Sequence, residues 1–240
     1  MIPLMGSIED LLERPVYGFQ QVDRLLVLHA GTAQRWIDGY ERRGHSYPPV
    51  VRVESTGDEI VTWGEFVEAR FLAEYRDKGV PMVKMRPAIE RLRERFGIKY
   101  PLAHLKPFAM GRELVEEVQE EVGLDKALRL VVIRSGQYLL TDPAEHFLRS
   151  VDFGGDAHTG EGIAQRLHPL AGNTVVMVDP LRQFGEPVVR SVPTAVIAEM
   201  FDAGDSVEAI ADLYDLPTAD VEAGLRYERE RDKASAPSAA

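Results

Sequence analysis

Between Tyr17 and Tyr40 the apolar positions fall at helical spacing with one break. Val22, Leu25 and Leu26 share a face. The triplet "HAG" then interrupts it, and Gly31 suits a left-handed turn position. Thr32 is placed to cap a second helix, Ala33 to Tyr40, which buries Ala33, Trp36, Ile37 and Tyr40. This is a helix-turn-helix pattern that leaves Gln34, Arg35 and Asp38 outward. Alternation then replaces helical spacing. "PPVVRVESTGDEIVTW" predicts two strands, Val50–Glu54 and Glu59–Thr62, around the turn "STGD". A hairpin in that place would be a wing. "TWGE" is a capping box, with Thr62 as the cap and Glu65 reaching back. It predicts a helix over Gly64–Lys78, stopped by Gly79. Pro81 suits the first turn of a further helix, in which Met85, Ile89, Leu92 and Phe96 share one face and Pro87 introduces a kink.

The middle of the chain changes period again. "MGRELVEEVQEEVGLDKAL" predicts an acidic amphipathic helix using Leu114, Val115, Val118 and Val122. "RLVVIRSGQYLL" predicts a hairpin, Val131–Arg134 and Tyr138–Leu140. Asp142 caps a short helix with Pro143 in its first turn. "DFGGDAHTGEG" (152–162) reads as a surface loop, and "NTVVMVDP" reads as a strand. In the last fifth, "EPVVRS" is extended and a helix from Pro193 buries Val196, Ile197, Met200 and Phe201. Asp205 and Glu208 make a capping box for a helix with Val207, Ile210, Ala211 and Tyr214 inward, Leu213 flanking that face. "DLPT" turns the chain, and Thr218 caps a last helix with Val221, Leu225 and Tyr227 inward. The expected class is α+β, mostly α. It comprises a winged helix-turn-helix (1–105), a small α/β unit with a β-hairpin (106–183), a three-helix helix-turn-helix-like module (184–231) and a flexible tail (232–240).

Apolar content of 45% and charged content of 28% fit a folded chain. No apolar run reaches the roughly 18–20 residues of a membrane helix. "MIPLMGSIEDLLERP" lacks the basic and apolar regions of a secretory signal. The absence of cysteine excludes disulfides and thiolate chemistry. Together these features lead us to expect a cytoplasmic protein without membrane partners.

The net charge of −11 is unevenly spread. Residues 1–110 carry 16 Lys+Arg and 15 Asp+Glu, whereas residues 111–240 carry 12 and 24. Two helix-turn-helix patterns therefore sit in opposite electrostatic settings. Residues 193–231 hold ten acids and three arginines, which opposes docking on a polyanion. Residues 17–52 hold five arginines and three acids. Gln34 and Arg35 there could pair with purine edges, with Thr32 and the flanking Arg24, Arg42 and Arg43 on phosphates. Residues 70–106 carry ten Lys+Arg and four acids. Their Arg86, Arg91, Arg93, Arg95 and Lys99 are either a solvated face or further phosphate contacts. His29, His45, His104, His146, His158 and His168 are scattered singly, so no metal site or cofactor is expected. No constellation of acid, base and nucleophile points to an enzyme.

The order of elements through "VTWGEFVEARFLAEYRDKGVPMVKMR" resembles the MerR-like winged helix-turn-helix family over about residues 17–90. That family's arginine–tyrosine pair is met only in part, by Arg35–Trp36. Residues 184–231 resemble a small bacterial domain family of unknown function. The matching positions are Gly185, Pro187, Val192, Pro193, Thr194, Ala203, Gly204, Ser206, Ile210, Tyr214, Val221, Leu225 and Tyr227. Gly224 stands where alanine is common. The combination resembles a long VapB-like antitoxin of a mycobacterial or related system. The resemblance implies an antitoxin that neutralises a PIN-domain (VapC-like) ribonuclease and, as a homodimer, represses its own promoter by binding operator DNA. Arg226, Arg229 and Arg231 could then face the nuclease's carboxylates, although "RYERERDK" also reads as an ordinary charged helix end. The alternative is a MerR-like regulator whose C-terminal half senses a ligand or protein, with no toxin.

Overall fold

The structure is a computed structural model and describes residues 11–76, 81–156, 161–170 and 172–235. Helix outweighs strand, 51% to 19%, and the sheets are small, which makes the fold α+β and mostly α. Among the described residues, those up to Arg149 and Phe153–Ala164 form one compact unit. Ser150–Asp152 and the residues from Gln165 onward form a second.

The first unit opens with β1 (Pro15–Gly18), α1 (Phe19–Leu25) and α2 (Thr32–Ile37). A tight hairpin of β2 (Tyr40–Arg42) and β3 (His45–Tyr47) follows. β4 (Ile60–Thr62) runs antiparallel to β1, with Tyr17 opposite Val61. The wing expected at Val50–Glu54 and Glu59–Thr62 is therefore not formed. The hairpin lies earlier, at Tyr40–Tyr47, and β4 pairs with the N-terminal strand. α3 (Trp63–Arg76) begins at the expected capping box: Glu65 Oε2 accepts from Thr62 N–H at 2.9 Å, and Thr62 Oγ1 from Glu65 N–H at 3.3 Å. Its expected stop at Gly79 lies outside the described residues.

α3 is the core element of this unit. Trp63, Phe66, Phe71 and Tyr75 are fully buried along it, and Phe71 meets Phe147 edge-on with ring centroids 4.8 Å apart. Burying side chains of this size contributes about 1.5–3 kcal/mol each. α4 (Arg86–Phe96) carries Pro87 in its first turn. Pro87 opens the helix and does not kink it, because the first-turn N–H needs no intrahelical partner. α5 (Lys106–Ala109) and α6 (Arg112–Glu121) follow. α6 buries Val115 and Val118 as expected, but also Glu116 and Gln119 in place of Leu114 and Val122. Gln119 Oε1 accepts from the amides of Leu130 and Val131, and its Nε2 donates to Val131 O at 2.8 Å. One side chain thus aligns the start of β5 (Val131–Arg134). β6 (Gln137–Leu140) returns through Ser135–Gly136, both at positive φ, the geometry of a two-residue hairpin turn. α7 (Asp142–Arg149) starts one residue beyond Thr141, whose carbonyl accepts from Glu145 N–H, so Asp142 lies inside the first turn and is not the cap.

The glycine-rich run expected as a loop is mostly strand. β7 (Val151–Asp156) pairs with β8 (Glu161–Leu167). Gly155 sits at φ 121°, where an added Cβ would strike the Glu161 carbonyl. His158 lies outside the described residues.

In the second unit, β9 (Val176–Met177), β10 (Val188–Val189) and β11 (Val192–Pro193) form an antiparallel sheet. Against it pack α8 (Thr194–Asp202) and α10 (Thr218–Ser235), and α9 (Val207–Tyr214) packs on those two helices. Val176, Val189, Ile197, Ile210, Val221 and Ala223 form the dry centre of this unit. Val196, Met200 and Phe201 are only half-buried, and Leu213 is exposed. The α9 cap is Ser206, whose Oγ accepts from Ala209 N–H at 3.2 Å, one residue on from the expected Asp205. Thr218 is the first helical residue of α10 and does not cap it.

Candidate functional site

α1 and α2 follow one another across a short turn, and one side chain sets the joint. Asp23 Oδ2 accepts from Gly31 N–H and Oδ1 from Ala33 N–H, both at 2.7 Å. A carboxylate on the first amides of α2 satisfies orphan donors and complements the helix dipole. Asp23 therefore does the capping assigned to Thr32. Thr32 Oγ1 instead accepts from Arg35 Nη2 at 2.8 Å. Gln34 and Arg35 are exposed as expected, and so is Arg24 on α1. α2 stops at Ile37 because Asp38 turns inward and Gly39 takes φ 78°. Asp38 is buried, contrary to the outward reading.

The β2–β3 hairpin begins at that glycine. A Cβ on Gly39 would lie 2.6 Å from Tyr47 O and 2.9 Å from Pro49 N, so the chain crosses itself where only glycine fits. Tyr40 is not a buried helix residue. It stacks on Tyr47 across the hairpin at 4.6 Å, with the rings 5° apart. The turn is Arg43–Gly44, both at positive φ. Arg42 and Arg43 are exposed in this hairpin, and among the described residues neither has a carboxylate partner.

Arg52 fixes the frame behind α2. Its guanidinium donates to Asp38 Oδ1 (2.7 Å), Glu65 Oε1 (2.8 Å), Asp58 O (2.8 Å) and Ile60 O (2.7 Å). Asp38 also accepts from the amides of Thr56 (2.8 Å) and Gly57 (3.0 Å). Burial pushes the Asp38 carboxyl up, but these amides, Arg52 and Ser55 outweigh it and hold it below the ordinary carboxylate range. Residues 50–58 are thus wound around a buried ion cluster and are unavailable as a strand.

The basic stretch on α4 is spent internally. Arg91 pairs with Glu94 and Glu121, and Arg95 with Glu121. Arg86 pairs with Glu90 and donates to Pro49 O and Val53 O, each at 3.0 Å. Arg93 pairs with buried Glu68 at 3.0 Å, and Lys99 with Glu13 at 2.7 Å. The local excess of charge is therefore answered by Glu90 and Glu94 on α4 itself and by Glu13, Glu68 and Glu121 from other segments, and phosphate contact by these five is not what the arrangement favours.

On α10 the three arginines part company. Arg231 pairs with Glu228, which also accepts from Thr194 Oγ1 and is buried. Arg229 lies over the Phe201 ring at 5.2 Å. Arg226 is exposed. Arg226 and Arg229 can present charge outward, whereas Arg231 is structural.

Of the histidines, His168 bonds Asp152 at 3.0 Å, His146 bonds Glu74 at 2.9 Å, and burial pushes His104 down to about 4. Among the described residues no group of three His, Asp or Glu is placed to hold a metal, and no described helix is long and apolar enough to cross a membrane. Sequence reasoning missed Asp23, Arg52 and the hairpin. Arg43–Gly44 carries only half of the usual Asn-Gly turn signal.

Residues 176–227 match a family described as a protein of unknown function (DUF433). That span starts at β9 and so takes in the whole three-stranded sheet as well as α8, α9 and α10 as far as Tyr227. The chain is 42% identical to "Uncharacterized protein Rv2308" of Mycobacterium tuberculosis over 93% of this chain and 94% of that protein. It is 31% identical to "Putative antitoxin VapB45" of the same organism over 87% and 91%. A crystal structure of Rv2018 from M. tuberculosis superposes with a TM-score of 0.70 at 27% identity, over 88% of this chain and 97% of that one. The chain belongs to the family of mycobacterial relatives that includes Rv2308 and the protein named "Putative antitoxin VapB45".

Proposed function

We propose that this protein is an antitoxin that binds and neutralises a PIN-domain ribonuclease and represses its own promoter as a DNA-binding homodimer. The observation that carries this reading is the relation, over 87% of the chain, to the protein named "Putative antitoxin VapB45". The geometry supports a division of labour within it. Residues 1–105 act as the MerR-like DNA-binding part. There Gln34 and Arg35 on α2 reach base edges, and Arg24, Arg42 and Arg43 reach backbone phosphates. Residues 106–183 are the small α/β part, and residues 184–231 face the nuclease through Arg226 and Arg229. Acidic α9 and α10 suit a protein surface better than a phosphate backbone.

The test is co-expression with a PIN-domain ribonuclease encoded in the same operon. The two should co-purify, and RNA cleavage should be suppressed in the complex. Failure to associate, with cleavage undiminished, counts against the antitoxin role. A regulator without a toxin would then remain as the second reading, favoured by the cavity described next.

A further inference from the structure

Beside α2 lies a solvent-open cavity of about 150 Å³, lined by Trp36, Tyr40, Tyr47, Val50, Met82 and Arg35, with prolines and Val83 completing it. The lining brings three aromatic residues and an arginine around one small space. The walls are pinned from behind. Trp36 O accepts from the amides of Val50 (2.8 Å) and Val51 (2.9 Å). Gly39 lets the hairpin cross at van der Waals contact, and Arg86 ties Pro49 O and Val53 O to α4. The wall formed by α2, the hairpin and residues 49–53 is thus preformed, which lowers the ordering cost of binding.

An apolar cavity of about this volume accommodates a single benzene-sized ring. Arg35 adds directionality. Among the described residues it makes no ion pair, and its hydrogen bond goes to the neutral Thr32 hydroxyl. A guanidinium fork matches a carboxylate in plane. A neutral ring would fill the space and leave that charge unanswered, whereas a nucleotide exceeds the volume. We propose that this cavity binds a small planar aromatic carboxylate, its ring against Trp36 and the stacked tyrosines and its carboxylate on Arg35. The site goes beyond the antitoxin reading. If α2 also reads DNA, the ligand and DNA compete for one arginine, a competition that rests on the proposed DNA binding.

The experiment uses the full chain without DNA, so its outcome is independent of operator and toxin. Benzoate is titrated while tryptophan emission is followed. The chain has two tryptophans, and Trp63 is fully buried with its indole N–H on Ala164 O, so Trp36 is the responsive reporter. The expected result is a saturable change that is lost in Trp36→Phe. Cyclohexanecarboxylate and benzyl alcohol should bind about tenfold more weakly, and Arg35→Gln should weaken benzoate about tenfold while leaving benzyl alcohol unchanged. NMR of the wild-type Arg35 side-chain N–H, which should shift with benzoate, reports independently of any variant's folding. Absence of a saturable response up to about 10 mM benzoate, or equal affinity in Arg35→Gln, overturns the proposal.

Discussion

Arg52 Nη1 lies 2.7 Å from Asp38 Oδ1, and both side chains are 8% exposed. This pair, with Glu65, replaces the wing strands that alternation predicts. Removing one member leaves uncompensated buried charge, so Arg52→Met should cost about 3–5 kcal/mol in chemical denaturation. The Asp38 carboxyl titrates below its ordinary value of 3.8 in the fold. Its contribution is therefore present above that pH and is lost as pH falls through the lower folded value. The wild type should lose stability on acidification below pH 3.8 more steeply than Asp38→Asn.

Glu68 is fully buried, and burial pushes it up to about 7 despite Arg93 and the Leu102 amide. A raised carboxyl favours the folded state below the unfolded value and loses that advantage as pH rises through the folded one. Stability should decline between pH 4.5 and about 7, by about 3 kcal/mol at most. Glu68→Gln should flatten this limb in thermal melts recorded across that range. An unchanged slope would assign the pH dependence elsewhere.

Arg35→Ala should cost about 1–3 kcal/mol on the protein's promoter DNA, measured by anisotropy, with little change in thermal stability. An unchanged affinity would remove Arg35 from base reading.

On α10 the paired and exposed arginines should behave oppositely. Arg231→Ala strips a charged partner from buried Glu228 and should destabilise the fold by about 1.5–3 kcal/mol. Arg226→Glu should leave stability within about 0.5 kcal/mol of wild type and weaken nuclease binding. A pull-down paired with a melt separates the two effects.

What could be read from the sequence depended on how far each determinant lies from what it determines. The Thr62–Glu65 capping box is contained in four residues and forms as read. So does the Ser135–Gly136 hairpin, whose turn residues sit between alternating strands. The joint between α1 and α2 depends on Asp23, eight residues before Gly31, and no local pattern marks it. Val50–Glu54 alternates like a strand, yet Arg52 sits at its centre and finds Asp38 and Glu65, 14 and 13 residues away, and the carbonyls of Asp58 and Ile60. Charge was misleading in the same way. Arg91 and Arg95 stand in a basic run, but their acid is Glu121, some 26 to 30 residues away. Arg42 and Arg43 stayed exposed because a short hairpin turn carries them into solvent.

On the proposed DNA-binding role, the hairpin cations, and not those on α4, meet phosphate. The salt dependence of DNA affinity tests it most directly, because each phosphate contact contributes a slope of about −0.9 in log K against log salt. Arg42→Ala with Arg43→Ala should reduce the slope by about 1.8, and Arg91→Ala with Arg95→Ala should leave it unchanged. A slope that survives loss of the hairpin pair and falls with the α4 pair would contradict the account.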